Sequence, residues 1–223
     1  MNFRHSRLSY GKAKKLMQFF IAGTPARTAA DLTRVNRNTA NLFYKKLRII
    51  ILHFTEKLSP FFDGEIEVDE SYFGGVRKGK RGRGAAGKTP VFGLLKRSGK
   101  VYTKVIPDAK TNTLIPIIRQ KIAPDSIIYS DCLNSYDALD VSEFHHKRIN
   151  HSQLFVNGKN HINGVENSWN QAKRRMTMFN GVPKNNFELF LKETEFKFNN
   201  PGAINQLKLL QKWVRIYNKQ GLN

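Results

Sequence analysis

Apolar positions recur at helical spacing early in the chain, and the texture changes after residue 60. Within residues 12–21, Ala13, Leu16, Met17, Phe19, Phe20 and Ile21 fall where one buried helix face needs them. Gly23 follows as a helix-ending glycine. Thr24-Pro25 reads as a cap with Pro at the first helical position. Residues 26–32 fit a short helix, Arg34-Val35-Asn36 a turn, and Asn36 or Asn38 the cap of a longer helix through Leu42, Phe43, Leu47 and Ile50. Two helices joined by so short a turn have the helix-turn-helix layout. The second would present Arg37, Asn38, Asn41 and Lys45 to a DNA groove. A plain helical bundle with a solvated basic face fits the same pattern.

From Phe61 onward, strands alternate with helices. Residues 66–72 read as a strand, and residues 90–95 and 101–106 as two more, joined by a hairpin with Ser98-Gly99 at its turn. Thr111 or Thr113 opens a helix through Ile117, Ile118 and Ile122. Residues 126–130 form an apolar-centred strand ending at Asp131, residues 133–139 a short helix, and residues 144–149 a strand. Helices are predicted over about 165–176, 187–198 and 203–217. The order implies an α/β fold, a mixed sheet flanked by helices behind a small all-α N-terminal domain. The expected divisions are 1–60, 61–200 and a helical extension over 201–223.

Charge narrows the partners. Among 223 residues, 38 Lys and Arg stand against 17 Asp and Glu, a net charge of +21. Such a field attracts polyanions, nucleic acid above all. Asp31 and Glu56 are the only acids among the first 57 residues. No apolar run approaches the ~20 residues of a membrane span, and residues 1–10 lack the apolar core of a signal peptide. The expectation is a cytoplasmic protein, nucleoid-associated when bound to DNA, with no membrane partner. A single cysteine, Cys132, excludes a disulfide framework and a four-cysteine zinc ribbon, so no zinc is expected. Beside Asp131 it reads as a buried, inert thiol. No P-loop is present, and no nucleotide cofactor is expected.

Three acids sit where chemistry can use them. Asp69 lies within the first strand, Asp131 ends the apolar strand after Ile127-Ile128-Tyr129-Ser130, and Glu166 opens a long helix. An acid in or at the end of an apolar strand is costly unless paired or metal-bound. Two such acids on neighbouring strands, with a third from a helix, would repel one another without a cation. Oxygen donors favour Mg²⁺ or Mn²⁺, and a two-ion site suits phosphodiester chemistry. Taken singly, Asp131 also reads as a helix cap and Glu166 as a partner of the helix dipole.

Several stretches then carry a resemblance: Glu67-Val68-Asp69-Glu70-Ser71-Tyr72-Phe73-Gly74-Gly75, Ile128-Tyr129-Ser130-Asp131, His161-Ile162-Asn163-Gly164-Val165-Glu166-Asn167-Ser168-Trp169, and Lys173-Arg174. Over about residues 63–200 the chain resembles the catalytic domain of insertion-sequence DDE transposases, the compact family with an ISXO-like transposase domain. The resemblance implies an RNase H-like fold and a metal-binding triad falling on Asp69, Asp131 and Glu166. Asn163 and Asn167 flank Glu166 as alternatives, because parts of the family carry Asn in the third place. Lys173, seven residues or two helical turns after Glu166, shares its face and matches the family's basic position. Many relatives carry an N-terminal zinc ribbon; this chain has no cysteines there, and its N-terminal part resembles the shorter members with a helix-turn-helix-like domain.

The remaining residues fill in the expected partner. Arg77, Lys78, Lys80, Arg81 and Arg83, interleaved with glycines in residues 74–88, are suited to phosphates rather than bases; a solvated loop is the plain alternative. Arg174 and Arg175 extend the basic face of the Glu166 helix. His161 is placed either to orient water or a phosphate, or simply to pack, and Trp169 reads as core. The resemblance implies a DNA transposase holding two Mg²⁺ (or Mn²⁺) ions, acting on double-stranded DNA at the element's inverted repeats and at target DNA, as a homodimer or higher multimer. The competing readings are a non-catalytic DNA-binding regulator derived from a transposase and an RNase H-like nuclease.

Overall fold

Side chains that satisfy free backbone amides set the first helices. A computed structural model describes residues 8–59, 61–74, 87–97, 99–132, 134–140, 142–149, 162–179 and 181–221. It divides the chain into two compact units, residues 59–199 and residues 1–58 with 200–223. The Ser9 side chain accepts the Lys12 amide and opens α1 (Tyr10–Ile21), which buries Ala13, Leu16, Met17, Phe20 and Ile21. Gly23, at φ +81°, ends it. Helix α2 (Ala26–Thr33) begins at Ala26, so Pro25 does not take the first helical position expected of it. Pro25 is extended and stands at the cap itself, its carbonyl accepting from the Ala29 amide at 2.9 Å. Arg34, at φ 50°, turns the chain. Asn36 then caps α3 (Arg37–Lys57) by accepting the Asn38 and Thr39 amides. A three-residue turn therefore joins α2 to α3.

The second unit is built on strands β1 (Glu65–Phe73), β2 (Thr89–Lys96), β3 (Val101–Val105), β4 (Ile127–Asp131) and β5 (His145–Ile149), with α4 (Thr111–Lys121), α5 (Asn163–Thr177) and α6 (Phe187–Asn199). The sheet order is β3-β2-β1-β4-β5. The first three strands are antiparallel neighbours, and β4 and β5 run parallel to β1. This is the mixed sheet that the element order implies. Alternation along β1 sorts its side chains between two layers. Ile66 and Val68 join Leu94, Ile118, Ile128 and Tyr136 in one core, while Phe73 joins Val91, Tyr129, Val165 and Trp169 in the other. Glu67 and Asp69 therefore point to the α5 layer and Glu70 to the α4 layer.

The outer strand β3 is closed by side chains. Asn199 accepts the Val101 amide and donates to the Val101 carbonyl, both at 2.8 Å. Glu195 Oε2 accepts the Thr103 amide at 2.9 Å and Lys192 donates to the Thr103 carbonyl at 2.7 Å. Three side chains of α6 thus take the place of a sixth strand and remove the open edge that invites pairing between chains.

One local expectation is refined and one changes. The short helix expected over 133–139 is a 3₁₀ helix, Asn134–Leu139. Its polar residues compete with regular helical bonding: Ser135 donates out of the turn to the Ala109 carbonyl. Cys132 is exposed, since it lies one residue past the last ladder position of β4. The last helix, α7 (Ala203–Lys219), packs with α1 and α3 in the first unit, and Trp213 stacks on Phe54 with centroids 5.2 Å apart.

Candidate active site

Register brings the two strand acids level. Strand β4 pairs with β1 as Glu65↔Ile127, Ile66↔Ile128 and Glu67↔Tyr129. The pairing stops there, and two residues further along lie Asp69 and Asp131, side by side on the α5 face. Glu70 joins them from the opposite face of β1. Oxygen atoms of Asp69, Glu70 and Asp131 all lie within 4.8 Å of one another. Helix α5 forms the facing wall. The resulting cleft, about 330 Å³, is lined by the three acids with Ser71, Ile162, Glu166, Trp169, Asn170 and Lys173. Glu166, Asn170 and Lys173 are spaced four and three apart, as one helix face requires.

Close packing sets the depth of this cleft. Trp169 Nε1 donates to Asp69 Oδ2 at 3.0 Å. The indole occupies the space above Gly93, which pairs with Asp69 across β1 and β2; a Cβ there would sit 2.4 Å from the ring. Tyr136, fully buried behind the sheet, donates to Glu70 Oε2 at 3.2 Å. Burial, and then the charge of Glu70, raise the Tyr136 hydroxyl well above its ordinary value, so it stays a donor.

Ser130, His146 and Asp140 lie in a hydrogen-bonded row beside this cleft. Ser130 Oγ is 2.7 Å from His146 Nε2, and His146 Nδ1 is 2.6 Å from Asp140 Oδ1. The order matches a nucleophile-base-acid relay, but Ser130 is fully buried and its hydroxyl also donates to the Asp131 carbonyl at 2.8 Å. A serine that no substrate can reach is a clamp between β4 and β5, not a nucleophile.

Residues 61–199 match the family described as the ISXO2-like transposase domain. The chain belongs to this transposase family. A transposase-like protein of Haemophilus influenzae is 54% identical over 116 residues, which make up 52% of this chain and 94% of that one. A protein in transposable element ISH50 of Halobacterium salinarum is 30% identical over 165 residues, 64% of this chain and 56% of that one, so the chain spans little more than half that relative's length. Among solved structures, the Mos1 strand transfer complex aligns with a TM-score of 0.38 at 13% identity, covering 98% of this chain and 80% of that one. A pre-cleavage Mos1 transpososome aligns with a TM-score of 0.39 at 12% identity, covering 100% and 83%.

In this ISXO2-like transposase domain the expected residues fall as follows. Asp69, Asp131, Glu166 and Lys173 line one cleft, with Glu166 outside the 4.8 Å group that Glu70 completes. Asn163 and Asn167 are exposed on α5 and absent from the cleft lining, whereas Asn170, one turn after Glu166, is part of it. Arg174 is exposed. Arg175 is nine residues, or half a turn of rotation, from Glu166 and lines a small cavity with Thr194 and Glu195 of α6. In the first unit, Arg37, Asn38, Asn41 and Lys45 are all exposed on α3, with Arg37 Nε 3.4 Å from Asp31. His161, Arg77, Lys78, Lys80, Arg81 and Arg83 lie outside the described residues. Among the described residues, no helix is long and apolar enough to cross a membrane.

The donor set fits a divalent cation. Burial, then the charges of Glu70 and Asp131, push the Asp69 carboxyl up to about 8; Trp169 opposes this and Glu166 adds to it. A carboxyl that resists ionising among other carboxylates is what a hard cation relieves. Because the folded value lies above the ordinary 3.8, the folded protein holds an extra proton between about pH 4 and pH 8 and loses that stabilisation as pH rises through this window. An ion must displace the proton. Apparent Mn²⁺ affinity should therefore rise about tenfold per unit up to about pH 8 and then level off. Calorimetry in buffers of different ionisation enthalpy checks this as release of about one proton per ion at pH 6; affinity independent of pH would refute it.

Proposed function

We propose that the chain is a DDE-type DNA transposase: it binds the ends of its element through the first unit and cuts and joins DNA at the cleft of the second. The observation that carries this reading is the level pair Asp69 and Asp131 on adjacent parallel strands, facing the Glu166 and Lys173 side of α5 across one cleft. The net charge of +21 provides the field that draws DNA to it.

In this reading Asp69, Asp131 and Glu166 hold two Mg²⁺ or Mn²⁺ ions, with Glu70 the neighbour that Tyr136 restrains. When bound, the ions supply Lewis-acid polarisation of the scissile phosphate and a more acidic attacking hydroxyl. Trp169 fixes the orientation of the Asp69 carboxylate. Lys173 pairs with a phosphate oxygen and aligns the strand. In the first step a water oxygen attacks phosphorus, the P–O3′ bond breaks, and the 3′-hydroxyl departs with a proton. In the second, that hydroxyl attacks a target phosphodiester in line; a new P–O3′ bond forms and the target strand leaves with its own 3′-hydroxyl. Helices α2 and α3 act as a helix-turn-helix, with Arg37, Asn38, Asn41 and Lys45 facing the groove of the terminal repeat. Two ends must be held together, which calls for a homodimer or higher multimer on DNA.

The test is an assay on linear DNA carrying candidate element ends, with Mg²⁺ or Mn²⁺ against EDTA. Metal-dependent joined products are expected. Cleavage without joining would replace the reading with a nuclease, and tight binding without cleavage would replace it with a regulator.

A further inference from the structure

One buried acid on the α5 face of β1 is not used by the proposed chemistry. Glu67 is 1% exposed, two residues before Asp69 on the same side of the strand. Its Oε2 accepts the Val165 amide in the first turn of α5 at 2.9 Å. Its Oε1 accepts from Arg97 Nε at 3.2 Å. Arg97 is itself held: its guanidinium lies 3.6 Å from the centroid of the Tyr129 ring, its Nη1 donates to Glu65 Oε2 at 3.0 Å, and its amide donates to the Glu65 carbonyl at 3.0 Å. The helix has no cap of its own, since Ile162 stands at the cap position without a side-chain hydrogen bond. The close approach is built in at Gly164, where a Cβ would sit 2.8 Å from Glu67 Oε2 and 2.5 Å from Leu95 Cδ2.

Resting on the transposase reading above, we infer that Glu67 is the positioning residue of the site: its carboxylate anchors the first turn of α5 to β1 and thereby sets Glu166 and Lys173 opposite Asp69 and Asp131. The chemistry is that of a cap supplied from a distant strand. A carboxylate at a helix N-terminus meets both a free amide and the positive end of the helix dipole, and Arg97 provides the counter-charge that a buried acid requires. Val165 immediately precedes Glu166, so a shift of the anchored turn moves the third acid directly. The backbones of Asp69 and Asp131 are fixed by the sheet, and Asp69 keeps its hydrogen bond from Trp169 one turn further along α5, so the third acid is the group most exposed to a shift of the first turn.

A double-mutant cycle in the full chain tests this, with Mn²⁺ affinity measured by calorimetry in the absence of DNA. Glu67→Ala should weaken Mn²⁺ binding about tenfold, the scale seen when a group orienting a ligand is lost. In a Glu166→Ala background the same change should cost less than about twofold, because the residue being positioned is gone. Glu67→Gln, whose amide oxygen still accepts from Val165 but whose amide nitrogen cannot accept from Arg97, should lose less than Glu67→Ala while remaining weaker than the parent. Where Glu67→Ala does not fold, Glu67→Asp, one methylene too short to reach the amide, takes its place. Equal losses in both backgrounds, or a Gln variant as weak as the Ala variant, would overturn the inference. Amide exchange at Val165 and Glu166 reads the anchor without metal or DNA. It should quicken at least about tenfold in Glu67→Ala and by clearly less in Glu67→Gln; unchanged exchange in Glu67→Ala overturns the anchor even if the protein joins DNA. Intact metal binding with the expected cycle but no DNA cleavage would sink the transposase reading and leave the anchor standing.

Discussion

Asp131→Ala should lose strand cleavage by at least about a thousandfold, the upper end of what removing one stabiliser of transition-state charge costs, while binding to element ends stays within about twofold. Asp131 sits level with Asp69 at the point where β1 and β4 stop pairing, and its carboxylate joins the acidic cluster. The substitution also removes a charge that raises the Asp69 carboxyl. Without metal at pH 8, the variant should therefore melt at the same temperature as the parent or slightly above it. Lost activity with undiminished stability is the signature of a group placed for chemistry at the expense of the fold. Cleavage kinetics, a gel-shift titration and a melting curve on the same preparation provide the three readings. A variant that cleaves within tenfold of the parent would remove Asp131 from the site.

How far the residue pattern leads can be seen from β1 itself. The pattern marked residues 66–72 as a strand carrying Asp69, and the run of apolar residues before Asp131 marked a second strand bearing an acid. Neither pattern distinguishes the roles of Glu67 and Asp69. The difference comes from partners far along the chain: Arg97 and the Val165 amide for Glu67, and Trp169 for Asp69. Glu70 was equally hidden, since an acid next to Asp69 points to the other layer and joins the cluster only because pairing between β1 and β4 has already ended. Helical spacing did relate Glu166 to Lys173, and the same rule applied at four residues would have reached Asn170. For Cys132, the neighbouring buried strand suggested an interior thiol, but one residue past the ladder is enough to leave it exposed. Nothing local in α7 marks that its apolar face meets α1 and α3, because amphipathic spacing says that a face is buried and not against what.

Glu195→Ala should cost the second unit about 3–5 kcal/mol of stability, the cost of breaking a buried ion pair from one side. Lys192 Nζ and Glu195 Oε2 are 2.8 Å apart with both side chains 2% exposed. The same oxygen accepts the Thr103 amide at 2.9 Å and the Thr103 hydroxyl at 2.6 Å. Its removal leaves a buried ammonium without its carboxylate and uncovers the edge of β3. For a chain of this size the loss corresponds to a fall in melting temperature of about 10 °C. Adding Lys192→Met should restore part of that loss, because the orphaned charge goes with it and the methionine fills similar space above Tyr102. Recovery in the double variant would assign the cost to the stranded charge, whereas no recovery would assign it to the Thr103 amide and the opened strand edge. A fall of less than about 2 °C in Glu195→Ala would mean that water reaches the pair and that α6 does not seal the sheet.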